Sequence, residues 1–231
     1  MKILFLILAA LPVPLQDVGI DQRLDAKVPL ELTFRDEAGK QVKLGDYFHD
    51  KPVILVPVYY ECPMLCTLTL QGLERATRAM ALKEYRVVTF SIDPREKAAK
   101  RRVAGWHYLT GDEASIRQLT EAIGFRYRWD ESTKQFAHAA GVMVLTPEGK
   151  IARYFYGVEY SPRDLRLSLV ETSAGKIGSP VDAVFLFCFH YDPLTGKYGL
   201  AITRLLQVAG VGTVLALGTF IGVMLRRERR A

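Results

Sequence analysis

Two cysteines and a histidine set the chemistry this chain can do. Cys62 and Cys66 stand four apart in YYECPMLCTLTLQGL, residues 59–73, where an apolar run gives way to helical spacing. Pro63 suits the first position of a helix, where a missing N–H costs nothing. Cys62 is therefore expected at or just before a helix N-terminus, where unpaired N–H groups and the helix dipole favour a thiolate. Cys66 follows on the same face, and Cβ atoms of such pairs lie roughly 5–6 Å apart. A disulfide needs Cβ atoms at about 3.5–4.5 Å, so a regular helix would have to distort to make one. A metal ion asks less: with bonds of roughly 2.3 Å it holds two sulfurs about 4 Å apart. The spacing leans to chelation while leaving open a redox couple, in which Cys62 attacks a partner disulfide and Cys66 resolves it.

Two thiolates rarely complete a metal site. Of four histidines, His138 in QFAHAAGVMVL is the best third ligand, because it precedes an expected strand over 142–145. In a sheet-centred domain the approach to one strand can lie beside the helix start that follows another. Two thiolates and an imidazole suit copper, above all Cu(I), and fit zinc less specifically. The competing reading is that His138 simply ends a strand. His49 and His107 read as surface or packing residues. Asp93, in SIDP at a strand end, is either a turn former or a group near the site. The third cysteine, Cys188, forms a C-x-H with His190 in FLFCFHYDP, read as an auxiliary metal site, a thiol that resolves a mixed disulfide, or an interfacial structural motif. Three cysteines exclude a four-cysteine zinc site within one chain.

The elements that must position these residues alternate strand and helix. Residues 30–34 and 41–48 flank an EAGK turn and predict a hairpin. VILVPVYY, residues 53–60, reads as a buried strand, with Pro57 in tension because proline cannot donate to a ladder. Helix is predicted over 64–80, strand over 86–92, a short helix from Pro94, extended chain over 106–109 and helix over 114–123. Strands at 142–145 and 151–156 flank a PEGK turn before an amphipathic helix over 161–173. This order predicts an α/β fold with a central mixed sheet covered on both faces.

Both ends are apolar. Residues 1–15 read as a signal peptide with an uncertain cleavage point. A main domain is expected over 18–175 and a juxtamembrane linker with the CFHYDP motif over 176–200. The long apolar run within 201–225 predicts a single C-terminal transmembrane helix, and 226–231 a basic tail held in the cytoplasm. The expected location is a bacterial inner membrane, single-pass, with the main domain on the periplasmic side. The net charge of +6 owes half its excess to that tail. The other basic cluster, REKAAKRR at 95–102, reads as a solvated helical face, so nucleic-acid binding is excluded.

CPMLC, SIDP, GWHYLTG, the histidine of QFAHAAGVMVLTPEGKIARYFYG, and CFHYDPLTGKYG together resemble the SCO/SenC family of membrane-tethered copper proteins in cytochrome c oxidase biogenesis. The resemblance implies a thioredoxin-like fold, with Cys62, Cys66 and His138 matching the copper ligands. Asp93 matches the family's aspartate near that site, in a supporting role at most. The resemblance further implies delivery of copper to the binuclear copper centre of cytochrome c oxidase subunit II, or control of the redox state of its thiols. Other periplasmic copper carriers would be further partners. The chain departs from the family pattern after SIDPRE, where a longer helical segment is usual and only KAAKRRVA intervenes here.

Overall fold

Val53–Val58 (β4) is buried at every position, as a strand covered on both faces must be. It pairs in parallel with Arg86–Ser91 (β5), which pairs in parallel with His107–Leu109 (β6). On its other side it meets Gly141–Leu145 (β9), antiparallel, and β9 meets Ile151–Tyr156 (β10), antiparallel. The five strands run in the order β10-β9-β4-β5-β6, a mixed sheet. The tension at Pro57 resolves in the register. Pairing with β9 covers Val53 to Leu55, so no bond on that side is lost at Pro57, while pairing with β5 continues to Val58 and Ser91.

The computed structural model describes residues 18–62, 65–97, 99, 102–173, 189–192, 197–200 and 202–228. The two faces of the sheet are read from alternation in β4. Ile54, Val56 and Val58 join Leu73 and Ala76 of Leu65–Ala79 (α1) and Leu165 and Leu169 of Pro162–Thr172 (α3). Val53 and Leu55 join Ile116 and Leu119 of Glu113–Ala122 (α2), with Phe34 of the hairpin Thr33–Arg35 (β2) and Gln41–Lys43 (β3). The helix starts follow capping rules. The Asp112 side chain accepts the Ser115 N–H at 2.7 Å ahead of α2, and Ser161 accepts Asp164 N–H at 3.3 Å with Pro162 at the first position of α3. Helices on both faces of a sheet of this order make a thioredoxin-like α/β fold.

A second, separate sheet runs in the order β1-β7-β8, built from Gly19–Ile20 (β1), Phe125–Asp130 (β7) and Gln135–His138 (β8). It was not anticipated. No helix forms from Pro94 among the described residues before β6, where a short one was expected. The segment read as a linker includes a hairpin, Phe189–Asp192 (β11) against Lys197–Leu200 (β12).

The expected single C-terminal transmembrane helix requires correction. Ile202–Glu228 is helical (α4), but among the described residues no helix is long and apolar enough to cross a membrane. The single-pass inner-membrane location, with a periplasmic domain and a cytoplasmic C-terminus, loses its basis with it. The expected signal segment, residues 1–15, lies outside the described residues.

Candidate metal centre

β4 ends at Val58, and the chain then turns tightly, with Cys62 N–H donating to the Tyr59 carbonyl at 3.0 Å. Cys62 therefore sits ahead of α1 rather than on it. Its sulfur accepts the Cys66 N–H at 3.5 Å, the role of a cap at a helix start. Pro63, expected to open the helix, lies outside the described residues. Cys66 is in the first turn of α1, 3 % exposed, and its sulfur accepts the Tyr59 N–H at 3.2 Å. The two cysteines are thiols, not bridged to each other.

His138 ends β8, and its Nε2 lies 3.2 Å from Cys66 Sγ. On the other side of the ring, Nδ1 meets the Ala139 carbonyl at 2.9 Å. A carbonyl can only accept, so Nδ1 carries the proton and Nε2 turns its lone pair to the sulfurs. One donor atom from each of Cys62, Cys66 and His138 falls within 4.8 Å of the others, a group that can hold a metal ion. Burial is graded: Cys66 is buried, while Cys62 and His138 are half-buried, so the cluster opens to one side. The Cys66 thiol is pushed up from its ordinary value, first by its hydrogen bond with Cys62 and then by burial, while the Tyr59 N–H pulls the other way. A metal binding here must displace that proton.

An aromatic wall closes the histidine side. Phe136 meets Tyr59 edge-on at 5.6 Å between centroids and Trp129 at 5.0 Å, and Phe125 lies 6.2 Å from the His138 ring. Asp93 is 3 % exposed, but it is not one of the three converging residues. Its carboxylate is gripped by Arg95, with Nε at 2.8 and 3.1 Å and an Nη at 2.8 Å. Next to it, Glu96 accepts the backbone N–H groups of Tyr60 at 2.9 Å and Glu61 at 2.6 Å, plus the Ser91 hydroxyl at 2.5 Å.

The structure thus brings together Cys62, Cys66 and His138, while the carboxylate of Asp93 is engaged by Arg95. Cys188 lies outside the described residues, and His190 is placed by its backbone alone, opposite Gly199. His107 packs on Tyr47 with ring centroids 4.6 Å apart, the packing role expected of it. Sequence reasoning missed Arg95 and Glu96, absorbed into an expected solvated basic face. It also missed the β7–β8 hairpin that carries His138. The signal was present: Phe125, Tyr127 and Trp129 alternate with arginines, and Phe136 and His138 alternate again after a polar turn.

A thioredoxin-like domain with two thiols and an imidazole converging at a strand end and helix start defines a soft-metal or thiol-exchange protein. The chain belongs to the SCO1/SenC family, whose model matches residues 21–172. The SCO1 protein homolog of Bacillus subtilis (strain 168) is 24% identical over 157 residues, 62% of this chain and 80% of that one. Arabidopsis thaliana ScoI, solved with copper bound, superposes with a TM-score of 0.54 at 19% identity, covering 64% of this chain and 97% of that one. BsSco, described as a Sco-family cytochrome c oxidase assembly protein with a disulfide switch, gives a TM-score of 0.54 at 21% identity, covering 69% and 99%.

Proposed function

We propose that this chain is a copper metallochaperone that serves the binuclear copper centre of cytochrome c oxidase subunit II. Cys62, Cys66 and His138 hold the ion, and Asp93 supports them from behind. The observation that carries the reading is the convergence of three donor atoms within 4.8 Å, one of them an imidazole nitrogen whose ring partner Nδ1 is engaged by the Ala139 carbonyl. Two thiolates and an imidazole suit Cu(I) by softness. A Sco relative crystallised with copper, and another assigned to oxidase assembly, support the cargo and the recipient. Cys66 is anchored by backbone contacts, whereas Cys62 stands at the more open edge. Copper leaves by exchange: a recipient thiolate approaches on the Cys62 side and the ion passes as bonds to this chain are replaced.

A second reading is favoured by one observation, the seating of the Cys62 sulfur on the Cys66 amide with the two thiols adjacent. In it, the Cys62 thiolate attacks a subunit II disulfide, forming a mixed disulfide and releasing one recipient thiolate. Cys66 then attacks the Cys62 sulfur, leaving a Cys62–Cys66 disulfide and a second recipient thiol. Two electrons pass to the recipient.

The test loads the full chain with Cu(I), mixes it with a copper-free subunit II domain, and follows copper and thiol content together. Copper movement that is weakened by His138→Ala and lost in Cys62→Ser/Cys66→Ser supports delivery. Full copper retention by the double-serine protein refutes it. Recipient thiols gained without copper movement, and unchanged by His138→Ala, assign the chain to thiol exchange instead.

A further inference from the structure

His138 and the two thiols do not share a sheet. Cys62 and Cys66 follow β4 of the five-stranded sheet, whereas His138 ends β8 of the separate β1-β7-β8 sheet. No strand ladder therefore sets the distance between imidazole and sulfur. The covalent tie from β8 to the main sheet is residues 139–140, leading into β9. Something else has to hold the hairpin against the thiol turn.

Residues 93–96, directly after β5, do so in two directions. Glu96 reaches the thiol side and takes the N–H groups of Tyr60 and Glu61, inside the turn that Cys62 closes on Tyr59. Arg95 reaches the histidine side. Its guanidinium carbon lies 4.4 Å from the Trp129 ring centroid on β7 and 5.7 Å from that of Phe136 on β8. Trp129 and Phe136 are a cross-strand pair, two pairs along the hairpin from Tyr127 and His138, with Arg128 and Ala137 between. Asp93 fixes the fork of Arg95, and also accepts its backbone N–H at 2.9 Å, so the guanidinium is aimed rather than merely near.

We infer that Arg95 and Glu96 are positioning residues that together set the span between the His138 imidazole and the Cys62–Cys66 thiols: Arg95 docks the histidine hairpin, and Glu96 fixes the thiol turn. The inference rests on the copper reading for its functional consequence but not for its geometry. Neither side chain is a copper ligand. Arg95 acts on copper through His138 alone, and a conservative lysine does not replace it, because an ammonium cannot grip Asp93 with two nitrogens and lie flat on Trp129.

The experiment uses the full chain with Arg95→Ala, Arg95→Lys and Glu96→Gln, each alone and with His138→Ala. Amide hydrogen exchange in the metal-free protein is the first measurement. Arg95→Ala should speed exchange at 135–138 roughly fivefold, the order of an exposed cation–π contact, and leave 60–62 unchanged. Glu96→Gln should do the reverse. Copper affinity, measured with copper alone against a chelator, is the second. Arg95→Ala should weaken it roughly tenfold, as loss of a ligand's supporting partner does, and should cost nothing further once His138 is alanine. Arg95→Lys should fall close to Arg95→Ala, and serves in its place if the alanine protein does not fold. Unchanged exchange in the hairpin, or an equal affinity loss with and without His138, overturns the inference. If the wild type takes up no copper, the copper reading fails while the exchange pattern still decides the positioning role.

Discussion

Gly72→Ala should destabilise this protein, although a glycine-to-alanine change inside a helix ordinarily helps. Gly72 lies buried in α1, on the stripe that begins with Cys66. A Cβ built there would sit 1.8 Å from the Val158 carbonyl oxygen and 2.9 Å from its carbon. Ordinary contact begins near 3.4 Å, so helix and loop must part by about 1.5 Å, and the obstructing atoms are backbone with no rotamer to yield. Alanine contributes about 1 kcal/mol of helix propensity. Overpacking costs about 1–3 kcal/mol, and an immovable carbonyl places this site at or beyond the upper end. The net expectation is a loss of about 2 kcal/mol, which for a chain of this size lowers Tm by roughly 4–8 °C. Thermal melts and urea midpoints measure it directly. Because α1 carries Cys66, the shift should also reach the Cys66–His138 contact and weaken copper binding. A Tm equal to or above that of the wild type would refute the reasoning, since the helix would then have room where the structure puts a carbonyl.

Tyr60→Phe should cost about 1–2 kcal/mol, because the hydroxyl donates to the Leu109 carbonyl and pairs with Thr89 Oγ1, both at 3.0 Å, tying the thiol turn to β5 and β6; a urea midpoint equal to wild type would show these bonds to be idle. Glu96 is raised above the ordinary carboxyl value by burial, which outweighs the hydrogen bonds from Ser91, Tyr60 and Glu61. A raised carboxyl contributes stability that is complete below its unfolded value, about 4.3, and is lost as pH rises through the folded one. Relative to Glu96→Gln, wild type should therefore be most stable at about pH 4 and lose ground toward pH 7, read from urea midpoints across that range; a gap that widens with pH contradicts the sign.

Legibility in the sequence followed the strength of the local pattern. β10 was readable to the residue from IARYFY, and α1 and α3 to within a residue or so, because buried runs and amphipathic spacing are local signals. The three residues whose donor atoms converge were readable from residue type and spacing. The place of Cys62 just before the helix was readable too; that its sulfur meets Cys66 through the Cys66 amide was not. The histidine hairpin went unread because its alternation is aromatic and cationic rather than aliphatic and polar. Glu96 went unread for a different reason: a carboxylate among basic residues looks solvated, and only folding shows that it faces the N–H groups of a turn thirty-five residues earlier. The apolar C-terminal run illustrates the opposite error: composition alone predicted a span, whereas among the described residues no helix is long and apolar enough to cross a membrane.

The placement of His138 bears on the choice between carrying copper and exchanging thiols. A redox pair needs a reactive thiol, a resolving neighbour and access, all of which the turn at 59–62 and the start of α1 supply on their own. Nothing in that chemistry requires an imidazole from another sheet. Yet the chain docks the β7–β8 hairpin on the thiol turn through Tyr59 and Phe136, holds it again through Arg95 on Trp129, and fixes the histidine tautomer through the Ala139 carbonyl. Each of these contacts orders side chains at an entropic cost, and each acts to present one lone pair beside the Cys66 sulfur. A lone pair held there has a use if a soft ion sits between the three atoms. The copper reading accounts for the hairpin, and the thiol-exchange reading leaves it without a function.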